Sequence, residues 1–280
     1  MKTLACLACL AAAPVFAQSY PEADAIVSIG GPVTEIIYAL GEGDRIIARD
    51  TTSLYPPEVE ELPDVGYMRQ LSAEGVLSVG PDLIVTRDTA GPPEVIDQLE
   101  AASIPVVGVP DGYTEDTVLA AIRTIGTALG VEAEAERLAG TVADDFAELG
   151  DLHRADPPRV MFILSNQGGR LNVAGDDTGA NGILALAGAE NVMAADYKGY
   201  KIMSDEAIIA AAPDVVVMMT GEEEHEARRG QILSLPAIAQ TPAGQNGAFV
   251  TVDPAALSFG PRTADFAREL NAALDAAVGG

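Results

Sequence analysis

A chain of 280 residues that is 48% hydrophobic and 21% charged is a globular sequence, and its length suits two domains better than a single core. Its formal charge of −26 repels nucleic acid and anionic membrane surfaces, which excludes the classes of protein that work through a basic patch. Most of the carboxylates are read as a solvated surface, with a few left for docking.

Met1-Lys2 is a short positive start, Leu4 to Phe16 is an apolar run rich in Ala, Cys and Leu, and Val15-Phe16-Ala17 ends it in small-x-small style before Gln18. This pattern predicts a secretory signal peptide over residues 1–17, cleaved after Ala17. The run falls short of the roughly 20 apolar residues of a membrane span, and no later stretch qualifies. Leu7-Ala8-Cys9 has some likeness to a lipoprotein cleavage site, but the apolar run ahead of it is too short. Cys6 and Cys9, the two cysteines of the chain, leave with the leader. The mature protein is therefore expected to hold no disulfide, Cys metal site or thiol nucleophile. Loss of Lys2 takes the charge to about −27. Export without disulfides suits a bacterial periplasm.

Beyond the leader, apolar runs alternate with helical patterns. The spacing predicts a strand at 25–29, a turn at Gly30-Gly31-Pro32 and a helix at 33–40 closed by Gly41. A strand at 45–49, a long loop from 50 to 67, a helix at 73–79 and a strand at 83–86 follow. A helix at 93–102, a strand at 106–109 and a helix at 114–130 complete a first α/β unit, residues 24–130, with a mostly parallel sheet. From 131 to 154 Leu138, Val142, Phe146, Leu149 and Leu152 recur at three and four residues, as on one long amphipathic helix. It ends at Arg154-Ala155-Asp156-Pro157-Pro158 and is read as a rigid connector. The pattern then restarts over 157–280, with a strand at 160–164, a turn at Gln167-Gly168-Gly169 and helices at 179–187 and 204–211. A strand at 215–219, a charged loop at 220–230, a strand at 248–252 and a helix at 262–278 end the chain. The expected fold is α/β, two Rossmann-like lobes joined by one long connector helix, with a ligand cleft between them.

An internal repeat supports two lobes. Ser72-Ala73-Glu74 and Ser204-Asp205-Glu206 each open a short apolar helix that runs through Pro-Asp (81–82 and 213–214) into a buried strand. Locally, Ser caps the helix and Glu sits in its first turn against the positive end of the dipole. A matched carboxylate on each lobe also offers two equivalent points for a two-fold partner.

Within the first unit, Leu62 to Gln70 is turn-rich and places Tyr67 and Arg69 two residues apart. In an extended segment such residues point to the same side. A free phenol, with a pKa of about 10, is a poor ligand at neutral pH, but a nearby cation favours the phenolate, a hard donor suited to ferric iron. For an isolated Tyr-x-Arg, packing of the ring and solvation of the guanidinium is the commoner arrangement. Other apparent motifs carry less. Asp177-Thr178-Gly179 has the aspartic-protease triplet but no second copy and precedes a helical pattern, so Thr178 is read as a helix cap. Gly30-Gly31 lacks dinucleotide and P-loop spacing. No Ser-His-Asp order or HExxH motif occurs, and the chain has two histidines. Enzymatic chemistry has little to stand on.

From about Ile26 onward the chain resembles the periplasmic haem-binding proteins of bacterial haem-uptake ABC transporters, in the helix-linked class shared with siderophore and cobalamin binders. The resemblance is carried by Gly30-Gly31-Pro32-Val33-Thr34-Glu35 with Ala39-Leu40-Gly41, by Asp50-Thr51-Thr52-Ser53, by Gly91-Pro92-Pro93 and by Ser258-Phe259-Gly260-Pro261-Arg262. Most specific is Val65-Gly66-Tyr67-Met68-Arg69 followed by Ser72-Ala73-Glu74-Gly75. The resemblance implies that Tyr67 is the axial ligand of ferric haem in the cleft, that Arg69 supports the phenolate with Met68 beside it, and that Glu74 and Glu206 meet arginines of a permease dimer served by an ATPase. It also implies a second ligand or propionate contact from the C-terminal lobe. The candidates are His225, Arg228 and Arg229, in a loop after a strand end, where open α/β sheets bind ligands. Their plain reading is solvation of His225 among Glu222, Glu223, Glu224 and Glu226, and neutralisation of that run by the arginines. His153 is read as a surface residue. The expected protein is a monomeric periplasmic carrier, neither an enzyme nor inserted in the membrane. The alternatives are a ferric siderophore or cobalamin binder and, from a different class, an exported α/β enzyme.

Overall fold

A computed structural model of the chain describes residues 19–219 and 225–279; the predicted signal peptide, with Cys6 and Cys9, and residues 220–224 of the predicted charged loop lie outside the described residues. No helix among the described residues is long and apolar enough to cross a membrane. The first sheet has the order β2-β1-β3-β4 and is parallel throughout: β1 Ile26–Ile29, β2 Ile46–Arg49, β3 Leu83–Arg87 and β4 Val106–Val109. Helices α1 Gly31–Ala39, α2 Ala73–Ser78, α3 Pro93–Ala101 and α4 Glu115–Leu129 connect and cover it. Central strands β1 and β3 are buried at every position, as a sheet covered on both faces requires. Serine caps α2 as its sequence predicted: Ser72 accepts the Gly75 N–H.

Helix α5, Glu132–Glu148, runs into a 3-10 turn at Leu149–Leu152. Its buried seam is Ala135, Ala139, Val142 and Phe146, with small residues first, because α5 folds back closely on α4. A side chain at Gly126 of α4 would stand 2.2 Å from the Ala135 methyl. The other end of α5 meets α10, Thr263–Val278, where Arg268 reaches Asp145 and Glu148.

The second sheet has the order β10-β9-β5-β6-β8, with β7, Glu190–Asn191, beside β5. Strands β5 Arg159–Gln167, β9 Val215–Met219 and β10 Phe249–Val252 are parallel, whereas β6 Arg170–Ala174 is antiparallel to both β5 and β8 Tyr200–Ile202. Sequence reading saw Gln167-Gly168-Gly169 as a turn but not the strands beyond it. Gly168 and Gly169 both adopt positive φ, the two-residue geometry that folds a strand straight back on itself. Helices α6 Gly179–Leu186 and α7 Asp205–Ala211 are capped by Thr178 and Ser204, as predicted. The predicted loop at 220–230 is corrected over its described part: His225–Leu233 is helix α8. Ile232 is its one buried residue, so the apolar periodicity that reveals a helix is nearly absent. A short helix α9, Pro242–Asn246, precedes β10.

One apolar cluster runs through both units, from Ile26, Val33 and Ile122 by way of Phe146 and Leu149 to Phe162, Ile183 and Leu270. Sheared motion of one sheet past the other would have to open this cluster. The outer face of each sheet has its own separate cluster.

Candidate functional site

Three backbone bonds lay the chain after Glu61 along the end of β2. Arg49 N–H donates to the Pro63 carbonyl at 2.9 Å, Val65 N–H to Arg49 at 2.9 Å and Thr51 N–H to Gly66 at 3.0 Å. Gly66 has a φ of 102°, a conformation that needs glycine, and it turns the chain outward just before Tyr67. The next four residues form a turn closed by Gln70 N–H donating to the Tyr67 carbonyl at 2.8 Å. The passage reads as turn-rich, and the structure has a turn there. Its inner residue is Met68, 3% exposed and packed under the sheet, and it is anchored where the Gly91 N–H donates to the Met68 carbonyl at 2.9 Å. Tyr67, 41% exposed, and Arg69, also exposed, flank it and face outward. Tyr67 thus stands on a rigid mount with a free ring.

Next to this turn, Arg87 at the end of β3 is buried and ion-paired with Asp111, which also accepts a bond from Thr89. A side chain on Gly30 would meet Arg87 Cδ at 2.5 Å, so glycine at the end of β1 is what lets that arginine lie there. The segment after β10 closes over the same edge. Phe259 meets Tyr113 edge-on with 5.7 Å between ring centres, and Arg262 reaches Glu35 on α1 at 3.0 Å. Strand ends of the two sheets therefore face each other. The void left between Arg87, Asp111 and Phe259 is about 10 Å³, room for no more than a water molecule.

On the opposite sheet Tyr200, at the start of β8, lies within electrostatic reach of Arg69. It is half-buried, and its phenol is pushed above the usual 10.0 chiefly by burial and then by the Tyr113 phenol, while the Thr178 hydroxyl, the Ala180 amide and the Arg69 guanidinium pull the other way. Sequence reasoning missed Tyr200; the signal was Tyr197-Lys198-Gly199-Tyr200-Lys201, two phenols and two cations in five residues. Lys201 covers the Tyr197 ring at 4.7 Å.

The predicted C-terminal-lobe candidates lie elsewhere. His225 Nδ1 pairs with the Thr251 hydroxyl at 2.9 Å and its ring stacks edge-on against Phe249. Arg229 donates to the Gly247 carbonyl at 3.1 Å. Gly247 precedes β10, so Arg229 is turned toward the end of that strand away from the facing edges, while His225 lies alongside the strand across Phe249 and Thr251. Arg228 is half-buried on the same helix. A hollow of about 600 Å³ on that side, lined by Arg154, Arg159, Asp214 and Phe249 among others, contains none of the predicted site residues. His153 is exposed, as expected.

Glu74 and Glu206 are both exposed and occupy the same position, two residues after the capping serine of α2 and α7. The amide of Glu206 itself, then the Ser204 hydroxyl, holds the Glu206 carboxyl below its usual range. Both residues thus stand on helix starts with their side chains exposed.

The sequence pattern of the periplasmic binding protein family matches residues 26–256. Among solved structures, the periplasmic heme-binding protein RhuT from Roseiflexus sp. RS-1, in apo form, is 36% identical, with a TM-score of 0.85 and coverage of 91% of this chain and 99% of that one. The periplasmic heme-binding protein BhuT in complex with two hemes is 35% identical, with a TM-score of 0.84 and coverage of 91% and 98%. An uncharacterised ABC transporter substrate-binding lipoprotein of Bacillus subtilis, YvrC, is 33% identical over 201 residues, 70% of this chain but 63% of its own length. The vitamin B12-binding protein of Pectobacterium atrosepticum is 30% identical over 203 residues, 69% of this chain and 70% of its own.

Proposed function

Since this chain belongs to the periplasmic binding protein family, we propose that it is a haem carrier, which captures ferric haem in the periplasm and delivers it to an ABC permease in the inner membrane. It is a binding protein and not an enzyme. The observation that carries the haem reading is the Tyr67–Arg69 turn: an exposed phenol beside an exposed guanidinium on a backbone pinned from both sides. Likeness at 36% and 35% identity to two heme-binding proteins supports it.

In this reading Tyr67 ligates the iron and Arg69 stabilises the phenolate. Buried Met68 holds the turn from below. The apolar porphyrin is screened from water by the facing sheet edges, and its propionates pair with cations at the rim. Tyr200, within electrostatic reach of Arg69, is the second lobe's contribution in this reading rather than His225, Arg228 or Arg229. Glu74 and Glu206 dock the loaded monomer on the permease dimer, whose ATPase powers release. Binding needs little hinge motion, because the connector α5 is packed on both α4 and α10. The likeness to a vitamin B12-binding protein keeps cobalamin as a second reading, in which Tyr67 only lines the cavity.

Absorbance titrations of the mature protein with ferric haem and with cobalamin, run beside Tyr67→Ala, test this. A saturable haem complex with a phenolate-to-iron charge-transfer band that Tyr67→Ala abolishes is the expected result. Saturation by cobalamin and not by haem would overturn it.

A further inference from the structure

Asp50, directly after β2, is fully buried, yet every acceptor position on its carboxylate is used. Oδ1 accepts the Gly30 N–H at 2.9 Å and the Ser53 hydroxyl at 2.8 Å; Oδ2 accepts the Thr52 N–H at 3.1 Å and the Thr52 hydroxyl at 2.7 Å. Each hydroxyl has a single proton, which settles the direction of what lies behind. Ser53 donates to Asp50, so it accepts from Thr34 at 2.7 Å, and Thr34 in turn accepts from Ser28 at 2.7 Å. Thr52 likewise gives its proton to the carboxylate and accepts the Gly31 N–H at 3.1 Å. One buried anion therefore collects the end of β1, the start of α1 and the loop after β2 through short, charge-assisted bonds.

That loop is also what holds the Tyr67 turn. Thr51 N–H donates to the Gly66 carbonyl at 3.0 Å, immediately before Tyr67, and the Thr52 hydroxyl touches Met68 Sδ at 4.0 Å, immediately after it. With the Thr52 proton committed to Asp50, the Met68 contact is packing and not donation. The two residues that bracket Tyr67 are thus both seated on the turn that Asp50 ties down.

We infer that Asp50, acting through Thr52, is the positioning element that fixes Tyr67 where it must stand to reach the ligand. The inference rests on Tyr67 being the ligand-binding residue. Neither Asp50 nor Thr52 touches the ligand; their effect passes through the backbone on either side of Tyr67.

The test uses the mature protein labelled with fluorotyrosine, in which the fluorine resonance of Tyr67 is identified by its loss in Tyr67→Phe. Thr52→Val keeps the shape of the side chain and removes its hydroxyl; Thr52→Ser keeps the hydroxyl. The apo protein of Thr52→Val should show a shifted Tyr67 resonance, and its ferric haem complex should release haem about tenfold faster. Thr52→Ser should restore both toward wild type. Ser53→Ala, which removes the other hydroxyl from the same carboxylate away from Met68, should give a smaller shift in the same sense and serves if Thr52→Val fails to fold. A thermal-unfolding shift in Thr52→Val with the Tyr67 resonance and the release rate unchanged would overturn the inference, as would an equal response in Thr52→Ser. If the wild type takes up no haem, the haem reading falls, while the resonance of the apo protein still decides the positioning role.

Discussion

Arg262, at the threshold of α10, donates to Glu35 of α1 at 3.0 Å while its guanidinium lies 3.7 Å above the ring of Tyr55. The pair joins the second lobe to the first at the inner end of the cleft, and the Glu35 side chain is only 13% exposed. Glu35 Oε1 and Arg262 Nε are buried with no hydrogen-bond partner among the described residues, so the pair is held by one strong bond and by the guanidinium stacking on Tyr55 and Phe266. Removing either partner strands a charge in a poorly hydrated place. Arg262→Met should therefore cost about 2 kcal/mol in urea unfolding, and Arg262→Met with Glu35→Met should recover part of that loss. A loss in the double variant equal to the sum of the losses in Arg262→Met and Glu35→Met would show that the two side chains are not coupled.

Arg69 is the cation nearest in sequence to the proposed iron ligand and lies within electrostatic reach of Tyr200 on the other lobe. Arg69→Ala should weaken ferric haem binding by about tenfold, and Arg69→Lys should recover part, since a point charge favours the phenolate but lacks the planar fork. Unchanged haem affinity in Arg69→Ala would remove Arg69 from the site.

Glu74 and Glu206 stand on capped helix starts and touch neither sheet edge. Glu74→Ala and Glu206→Ala should leave haem titrations at wild-type values. Haem transfer to permease-containing proteoliposomes should fall in each and fall further in the double variant. Wild-type transfer by the double variant would dismiss the docking role.

Tyr197 gives the protein a signature at alkaline pH. Burial, then the Asp196 carboxylate, pushes its phenol from 10.0 up to about 12. The folded state then holds this proton more tightly than the unfolded chain, so the stabilisation is complete below pH 10 and is lost as pH rises toward 12. The Tm should fall across that window, and less steeply in Tyr197→Phe. At neutral pH the same variant should lose about 1 kcal/mol, because the Tyr197 hydroxyl donates to the Val173 carbonyl at 3.0 Å. Parallel wild-type and variant curves above pH 10 would show that another group titrates there.

Much of the framework was legible because its causes are local. Ser72, Thr178 and Ser204 announce their helices by capping chemistry that involves four consecutive residues, and β1, β3 and β9 read as strands because burial on both faces leaves a mostly apolar run. Helix α8 and strands β6 and β8 were not legible for the converse reason. Helix α8 buries little, and the two short strands owe their existence to partners: β6 to the hairpin with β5, and β8 to β6.

The same division runs through the site. Sequence alone determined that Tyr67 and Arg69 sit in a turn-rich passage beside a capped helix, and that each lobe carries a matching Ser-x-Glu start, because these depend on residues close together along the chain. Tertiary structure alone decided that Tyr200 would come within electrostatic reach of Arg69, that His225 would turn toward Thr251, and that Asp50 would gather Gly30, Thr52 and Ser53 around one buried charge. Those contacts join strand ends from separate parts of the chain. Burial of a charge or a phenol is a property of the assembled lobes, which no local pattern records.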